Sequence, residues 1–347
     1  MKKIMAIVTA AMLGMTCLAG CGGSTSSTNG ADKGSSESKK LVVYSPNSED
    51  IINAIIPMFE DETGIDVELV SAGTGELFKR IESEKESPYA DVLFGGSRAQ
   101  YAQHPDLFEN YVSENDKYLM ENHRNKTGYM TSYISDGSCI LINKNIIGDI
   151  KIEGYADLLN PELKGKIASA DPTSSSSAFA QLTNMLLAMG GDYTSDAGWD
   201  YVKKLVENLD GKLASGSGAA HKSVADGEYP VALTYEDPSA SYIKSGADVE
   251  IVYPKEGTVF LDATSGIVKN AKNLDNAKKF IDFIISKEAQ DVFGSKLTNR
   301  PLREDAELGD YMKPMSEIYQ ITEDCDYVDS HKEEIISKYT EIATSVK

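Results

Sequence analysis

The 347-residue chain carries 34 Lys and Arg against 54 Asp and Glu, a formal charge of −20 at pH 7. So acidic a body disfavours nucleic acid and anionic membrane faces as partners. Its 41% apolar content suffices for a large core, and its length suits two domains.

The chain opens on Lys2 and Lys3, an apolar run from Ile4 to Leu18, and then small residues before Cys21. This is the layout of a secretory signal, assigned to residues 1–20, and the run is short for a membrane span. Leu18-Ala19-Gly20-Cys21 resembles the lipobox of bacterial lipoproteins. The resemblance implies that Cys21 receives a diacylglyceryl group and becomes the first mature residue. Acyl chains there make a stable membrane anchor. Residues 22–40 have almost no apolar side chain, so 21–40 is expected to be a disordered tether reaching roughly 25 Å.

The body is expected to begin at Leu41. Leu41–Tyr44 reads as a buried strand, followed by the loop Ser45-Pro46-Asn47-Ser48. Ile51, Ile52, Ile55, Ile56 and Phe59 recur at helical spacing up to Gly64. Residues 65–70 alternate as a strand, 71–75 turn, and a helix starts at Glu76. Ala90–Phe94 is the next strand and ends in Gly95-Gly96-Ser97. Three strand–loop–helix units in sequence indicate a parallel α/β sheet, whose ligands bind beyond the carboxyl ends of the strands. Further strands are expected at 138–142, 167–170, 230–235 and 249–253, with helices over 176–189, 199–209 and 276–293. The pattern predicts two α/β sheets separated near 130–137.

Several stretches in order resemble the extracellular solute-binding proteins of bacterial ABC importers. They are Leu41-Val-Val-Tyr-Ser-Pro46, Thr63-Gly-Ile-Asp-Val-Glu68, Gly73-Thr-Gly-Glu-Leu77, Ala90-Asp-Val-Leu-Phe94, Leu158-Leu-Asn-Pro-Glu-Leu-Lys-Gly-Lys166 and Ala277-Lys-Lys-Phe-Ile-Asp-Phe283. The nearest branch holds ferric-ion, phosphosugar and aminophosphonate binders. The resemblance implies a two-lobed type 2 periplasmic-binding-protein fold of α/β class, with a ligand cleft between the lobes. It implies one lobe of residues 41–133 and 257–303 and a second of 134–256 and 304–347. It further implies an extracytoplasmic, lipid-anchored monomer that hands a small anionic solute to an ABC permease in the cytoplasmic membrane.

Within that frame, Ser169-Ala-Asp-Pro-Thr-Ser-Ser-Ser-Ser-Ala-Phe179 stands out. It sets Thr173, Ser174, Ser175, Ser176 and Ser177 at the mouth of a helix, where unpaired N–H groups and the helix dipole favour an anion. The expected role is an oxyanion cradle. Thr74 and Gly75 offer a second helix mouth, and the 215–222 loop a third, with His221 and Lys222 as candidate cations. Ser45, Asn47 and Ser97 are ligand candidates by their position at strand ends. Tyr235 and Glu236 follow a strand, and Glu236 is expected to accept hydrogen bonds from the polar remainder of the solute. Asp262 is an alternative acceptor. Arg98 and Arg300 are read as surface or structural pair-makers.

A ferric alternative remains open. Ferric binders of this family use a histidine in the first loop and a Tyr-Tyr pair, where this chain has Ser45-Pro-Asn-Ser48 and Tyr235-Glu236. No metal and no cofactor is expected. A serine hydrolase, with one of Ser174–Ser177 as nucleophile and His221 as base, is the enzymatic alternative. The chain has no Gly-x-Ser-x-Gly elbow, His-Glu-x-x-His or Walker loop, and no catalytic residue is assigned. Cys139 and Cys325 can either pair or stay free in an extracytoplasmic compartment.

Overall fold

The computed structural model describes residues 38–346. The expected signal, Cys21 and the tether through residue 37 lie outside the described residues. The last tether positions belong to the fold. Asn276 Nδ2 donates to the Ser38 and Lys40 carbonyls at 2.7 and 2.9 Å, so chain order starts earlier than residue 41.

The first part is built as expected. Strand β1 (Lys40–Ser45) leads into α1 (Glu49–Thr63), β2 (Asp66–Ser71), α2 (Thr74–Glu84), β3 (Val92–Ser97) and the short α3 (Arg98–Gln103). β1 pairs in parallel with both β2 and β3. Helix α1 buries Ile51, Ile52, Ile55, Ile56 and Phe59 because they fall on one face, and Gly64 ends it in the left-handed region at φ 65°.

The segment expected to separate two sheets is instead one long strand, β4 (Thr131–Asn143). It is followed by β5 (Ile167–Ala168), α4 (Ser176–Gly190), α5 (Asp196–Leu209), α6 (Ser217–Ala225), β6 (Val231–Tyr235), α7 (Glu236–Lys244) and β7 (Val249–Val252). The acidic turn after Tyr235 is thus the first turn of a helix. Then come β8 (Phe260–Ile267), α8 (Leu274–Ile284), α9 (Lys287–Asp291), β9 (Arg300–Pro301), α10 (Cys325–Ser330) and α11 (Lys332–Ser345). The single helix expected over 276–293 is broken at Ser286, whose hydroxyl accepts from Ala289 N at 3.2 Å and starts α9 afresh.

Sheet order is β2-β1-β3-β8-β4-β6-β5, with β7 and β9 also on β4. Residues 131–137 of β4 pair with β8, and Ser138–Ile142 pair with β6. β4 therefore passes from one half of the sheet to the other. Gly137 is the last residue paired with β8, and a Cβ there would run into the Phe260 ring. Separate cores flank the passage. One gathers Leu41, Phe59, Phe94, Tyr133 and Phe280, and another gathers Ile140, Leu158, Leu182, Trp199 and Leu233. Cys139 and Cys325 are both free thiols.

Gly95 is needed for a tight approach at the end of β3. Its φ is 124°, and a Cβ would sit 2.8 Å from Pro46 Cδ. Gly95→Ala is expected to lower stability by about 1–3 kcal/mol, read as a lower melting temperature.

Candidate functional site

The loops at the strand ends of the first half of the sheet are packed on one another. Asn47 Nδ2 donates to the Phe94 carbonyl at 3.0 Å, and its Oδ1 accepts from the Tyr133 hydroxyl at 2.8 Å. Ser45 is fully buried, and its hydroxyl donates to the same carbonyl at 2.6 Å. It braces the loop from inside, with its hydroxyl turned to the backbone and not to the open strand end. Thr74 opens α2, and its methyl lies beside Gly96, whose Cβ would come within 3.1 Å of it. Gly75 follows, exposed on the first turn. Ser97 caps α3, with Gln100 Oε1 accepting from its N–H at 3.0 Å. Arg98 Nη1 donates to Ser132 at 3.0 Å and lies 3.8 Å from Asp262. Asp262 also accepts from Ser135 and bonds His123 Nδ1 at 2.8 Å.

On the other half, the run of hydroxyls divides. Asp171 Oδ1 accepts from Thr173 N at 2.8 Å, which turns that residue outward. Thr173 lines a separate depression of about 690 Å³ with Lys164, Asp210 and Tyr339. Ser174 is exposed on the same turn. Ser175 caps α4, its hydroxyl accepting from Ala178 N at 3.3 Å. Ser176 faces a different cavity of about 490 Å³, whose walls include Ser97, Arg98 and Asp262 from the first half. The hydroxyls expected to act together over 173–177 are thus split between two depressions, with Thr173 on one and Ser176 on the other. As the first residues of α4, Ser176 and Ser177 have N–H groups with no partner inside the helix.

Three helix starts gather around one phenol. The Ser177 hydroxyl on α4 and the Ser217 hydroxyl on α6 lie against Tyr235, which immediately precedes α7. Burial raises the Tyr235 pKa, and nearby Asp136 raises it further, so the phenol is a neutral donor at pH 7. Asp136 accepts from Asp237 N at 3.1 Å and so fills the start of α7 with an internal carboxyl group. Burial holds its carboxyl well above the usual range, with Asp237 and Glu236 adding to the rise.

Two further expectations change. His221 is buried, its Nδ1 is 3.3 Å from Thr234 Oγ1, and burial lowers its pKa. It is therefore uncharged near neutral pH, and the other expected cation, Lys222, is paired with Asp226. A histidine titrating lower in the fold than at its ordinary ~6.5 binds fewer protons folded than unfolded, so stability falls as pH drops below that value. His221→Gln should flatten the melting-temperature profile between about pH 7 and 5.

Glu236 is not open to a ligand. Its side chain is 1% exposed, and both oxygens are taken. Arg300 Nε donates to Oε2 at 2.7 Å, Nη2 donates to Oε1, and the Tyr253 hydroxyl also donates to Oε1. Arg300, read from sequence as a pair-maker, makes this pair in the interior.

Sequence reasoning did not single out Asp136, and it reached Ser217 only as part of the 215–222 helix mouth. Gly216-Ser217 is a recognisable helix start, but Asp136 carries no local signal, because its partner is 101 residues away. Among the described residues, no group of three or more His, Cys, Asp or Glu side chains is placed to hold a metal ion.

Comparison with known proteins decides the family. Residues 41–296 match the family described as bacterial extracellular solute-binding protein. The chain belongs to that family. Among curated relatives of this solute-binding protein, iron uptake protein A1 of Synechocystis is 28% identical, over 80% of this chain and 79% of its own. A putative 2-aminoethylphosphonate-binding periplasmic protein of Salmonella typhimurium is 26% identical, over 71% and 72%. Among solved structures, the periplasmic binding protein AfuA of Actinobacillus pleuropneumoniae, with fructose-6-phosphate bound, superposes with a TM-score of 0.69. It is 26% identical and covers 88% of this chain and 98% of its own. The two-lobed α/β periplasmic-binding-protein fold expected from the sequence is therefore established. This solute-binding protein serves an ABC importer, with a solute as ligand and a membrane permease as partner.

Proposed function

We propose that this solute-binding protein captures a small phosphorylated or phosphonate solute, such as a sugar phosphate or 2-aminoethylphosphonate. It is held outside the cytoplasmic membrane as a monomer by lipid on Cys21. Its lobes are residues 41–133 with 257–303, and 134–256 with 304–347. The distinct cores on either side of β4 support that division.

The observation that carries the reading is the convergence of α4 and α6 on Tyr235, with Ser176 facing Ser97 and Arg98 across one cavity. Helix starts supply N–H groups and a positive dipole end, the serines and Tyr235 supply O–H donors, and Arg98 supplies charge. Together they overcome locally the acidic field of the whole chain. Thr74 completes the anion site from the opposite loop, Asn47 and Ser97 shape its rim, and His221 serves as a neutral neighbour. The aminoethylphosphonate-binding relative and the fructose-6-phosphate complex support the same ligand class.

A ferric reading has the iron uptake relative in its favour. Against it, the residue after Tyr235 gives both oxygens to Arg300, and a fixed guanidinium there repels Fe³⁺. The hydrolase alternative finds His221 Nδ1 engaged with Thr234.

Calorimetric titration with phosphate esters tests the reading. Ser176→Ala with Ser177→Ala should weaken binding by about 1–3 kcal/mol, roughly 5- to 150-fold. Thr173→Ala, in the other depression, should leave affinity unchanged. Equal effects at the two positions would count against the divided cradle.

A further inference from the structure

The first turn of α7 sets where Tyr235 stands, and other parts of the chain grip that turn. Arg300 holds Glu236 through two nitrogens, while its Nη2 also donates to the Lys313 carbonyl at 2.9 Å and the Tyr253 hydroxyl at 3.3 Å. The guanidinium carbon lies 5.3 Å from the Phe260 ring centre. Thr298 Oγ1 donates to Asp237 Oδ1 at 2.6 Å, and Asp136 accepts from the backbone of the same residue.

The grip spans the passage in the sheet. Arg300 lies on β9, which pairs with β4 at Ile134 and Ser135, in its first half. Glu236 begins the helix after β6, which pairs with the second half of β4. A forked guanidinium fixes the direction of a carboxylate as well as its place. If Glu236 turned away from Arg300, the peptide after Tyr235 would turn with it, and the phenol would leave Ser177 and Ser217.

We propose that Arg300 is a positioning residue for solute binding: through Glu236 it holds Tyr235 in register with the starts of α4 and α6. Its 2% exposure keeps it from touching the solute. The inference rests on the reading of Tyr235, Ser176 and Ser177 as the anion site.

The test uses the full chain and inorganic phosphate as the probe. Arg300→Lys keeps the charge and loses the fork, and should weaken phosphate binding roughly tenfold. Tyr235→Phe should weaken binding in the parent and add nothing in the Arg300→Lys background. Thr298→Val removes only the hydroxyl on Asp237; it should give a smaller loss by the same route, and it covers the case in which Arg300→Lys does not fold. The inference is overturned if Arg300→Lys melts earlier yet binds phosphate like the parent. It is equally overturned if its loss multiplies with that of Tyr235→Phe.

A second readout needs no ligand. In protein labelled with carbon-13 tyrosine, the Cζ resonance that vanishes in Tyr235→Phe should shift in Arg300→Lys and Thr298→Val. An unmoved resonance overturns the inference whatever phosphate does. A shifted resonance in a protein whose parent binds no phosphate supports the positioning role and counts against the anion site alone.

Discussion

Ser176→Asp is expected to abolish binding of phosphorylated solutes while leaving the fold as stable as before, or slightly more so. Ser176 sits at the first position of α4 and faces the cavity shared with Ser97 and Arg98. A carboxylate at a helix start gains about 0.3–1 kcal/mol from the dipole. The same carboxylate meets an incoming phosphate as a like charge and competes for the same N–H groups. Like-charge contact costs several kcal/mol, so affinity should fall by more than roughly a hundredfold. Stability and binding then move in opposite directions, which a merely damaged fold cannot produce. For a ferric ligand the sign reverses, because an added hard oxygen strengthens binding. Calorimetric titration alongside thermal unfolding reads both quantities on one sample.

The second large effect is on stability. Arg300→Met leaves the Glu236 carboxylate in a site that is 1% exposed, with only the Tyr253 hydroxyl remaining of the side-chain donors it now has. Removing one partner of a buried pair costs about 3–5 kcal/mol, because the other charge is left without compensation. For a domain of this size that is on the order of a 10 °C fall in melting temperature. Glu236→Met together with Arg300→Met removes both charges and should recover most of the loss, since well-packed apolar replacements of buried pairs are often neutral or stabilising. If the double variant is no better than Arg300→Met alone, the cost lies in packing around Phe260 and Tyr253 and not in the stranded charge.

Residues 41–97 were legible because each element there carries its own signal. The period of Ile51 to Phe59 marks α1, and Gly64 marks its end. The start of α4 was legible for the same reason, since Ser175 is a good cap and an apolar helix follows it. β4 was only half visible. Ser132, Ser135 and Ser138 are buried polar residues of a strand with neighbours on both sides, so the alternation that marks a half-buried strand is missing. The break at Ser286 did have a local signal, a serine followed by Lys287 and Glu288, which the apolar spacing on either side overrode. At the site, helix mouths and hydroxyls could be read from sequence. Long-range pairings could not, and they moved Glu236 from expected ligand to structural partner of Arg300, 64 residues away. The outward turn of Thr173 depends on Asp171, a local Asx turn whose cue lay in Asp171-Pro172.

The most direct test of the central claim is thermal unfolding of residues 38–347, the compact unit that contains the described fold, with a panel of solutes. The panel holds sugar phosphates, 2-aminoethylphosphonate, inorganic phosphate, ferric citrate and neutral sugars. A ligand at 100 times its dissociation constant adds about 2.7 kcal/mol, a shift of several degrees. A shift with phosphate esters or phosphonates, absent with neutral sugars and lost in Ser176→Asp, is the predicted result. A shift with ferric ion alone, retained in Ser176→Asp, would contradict it.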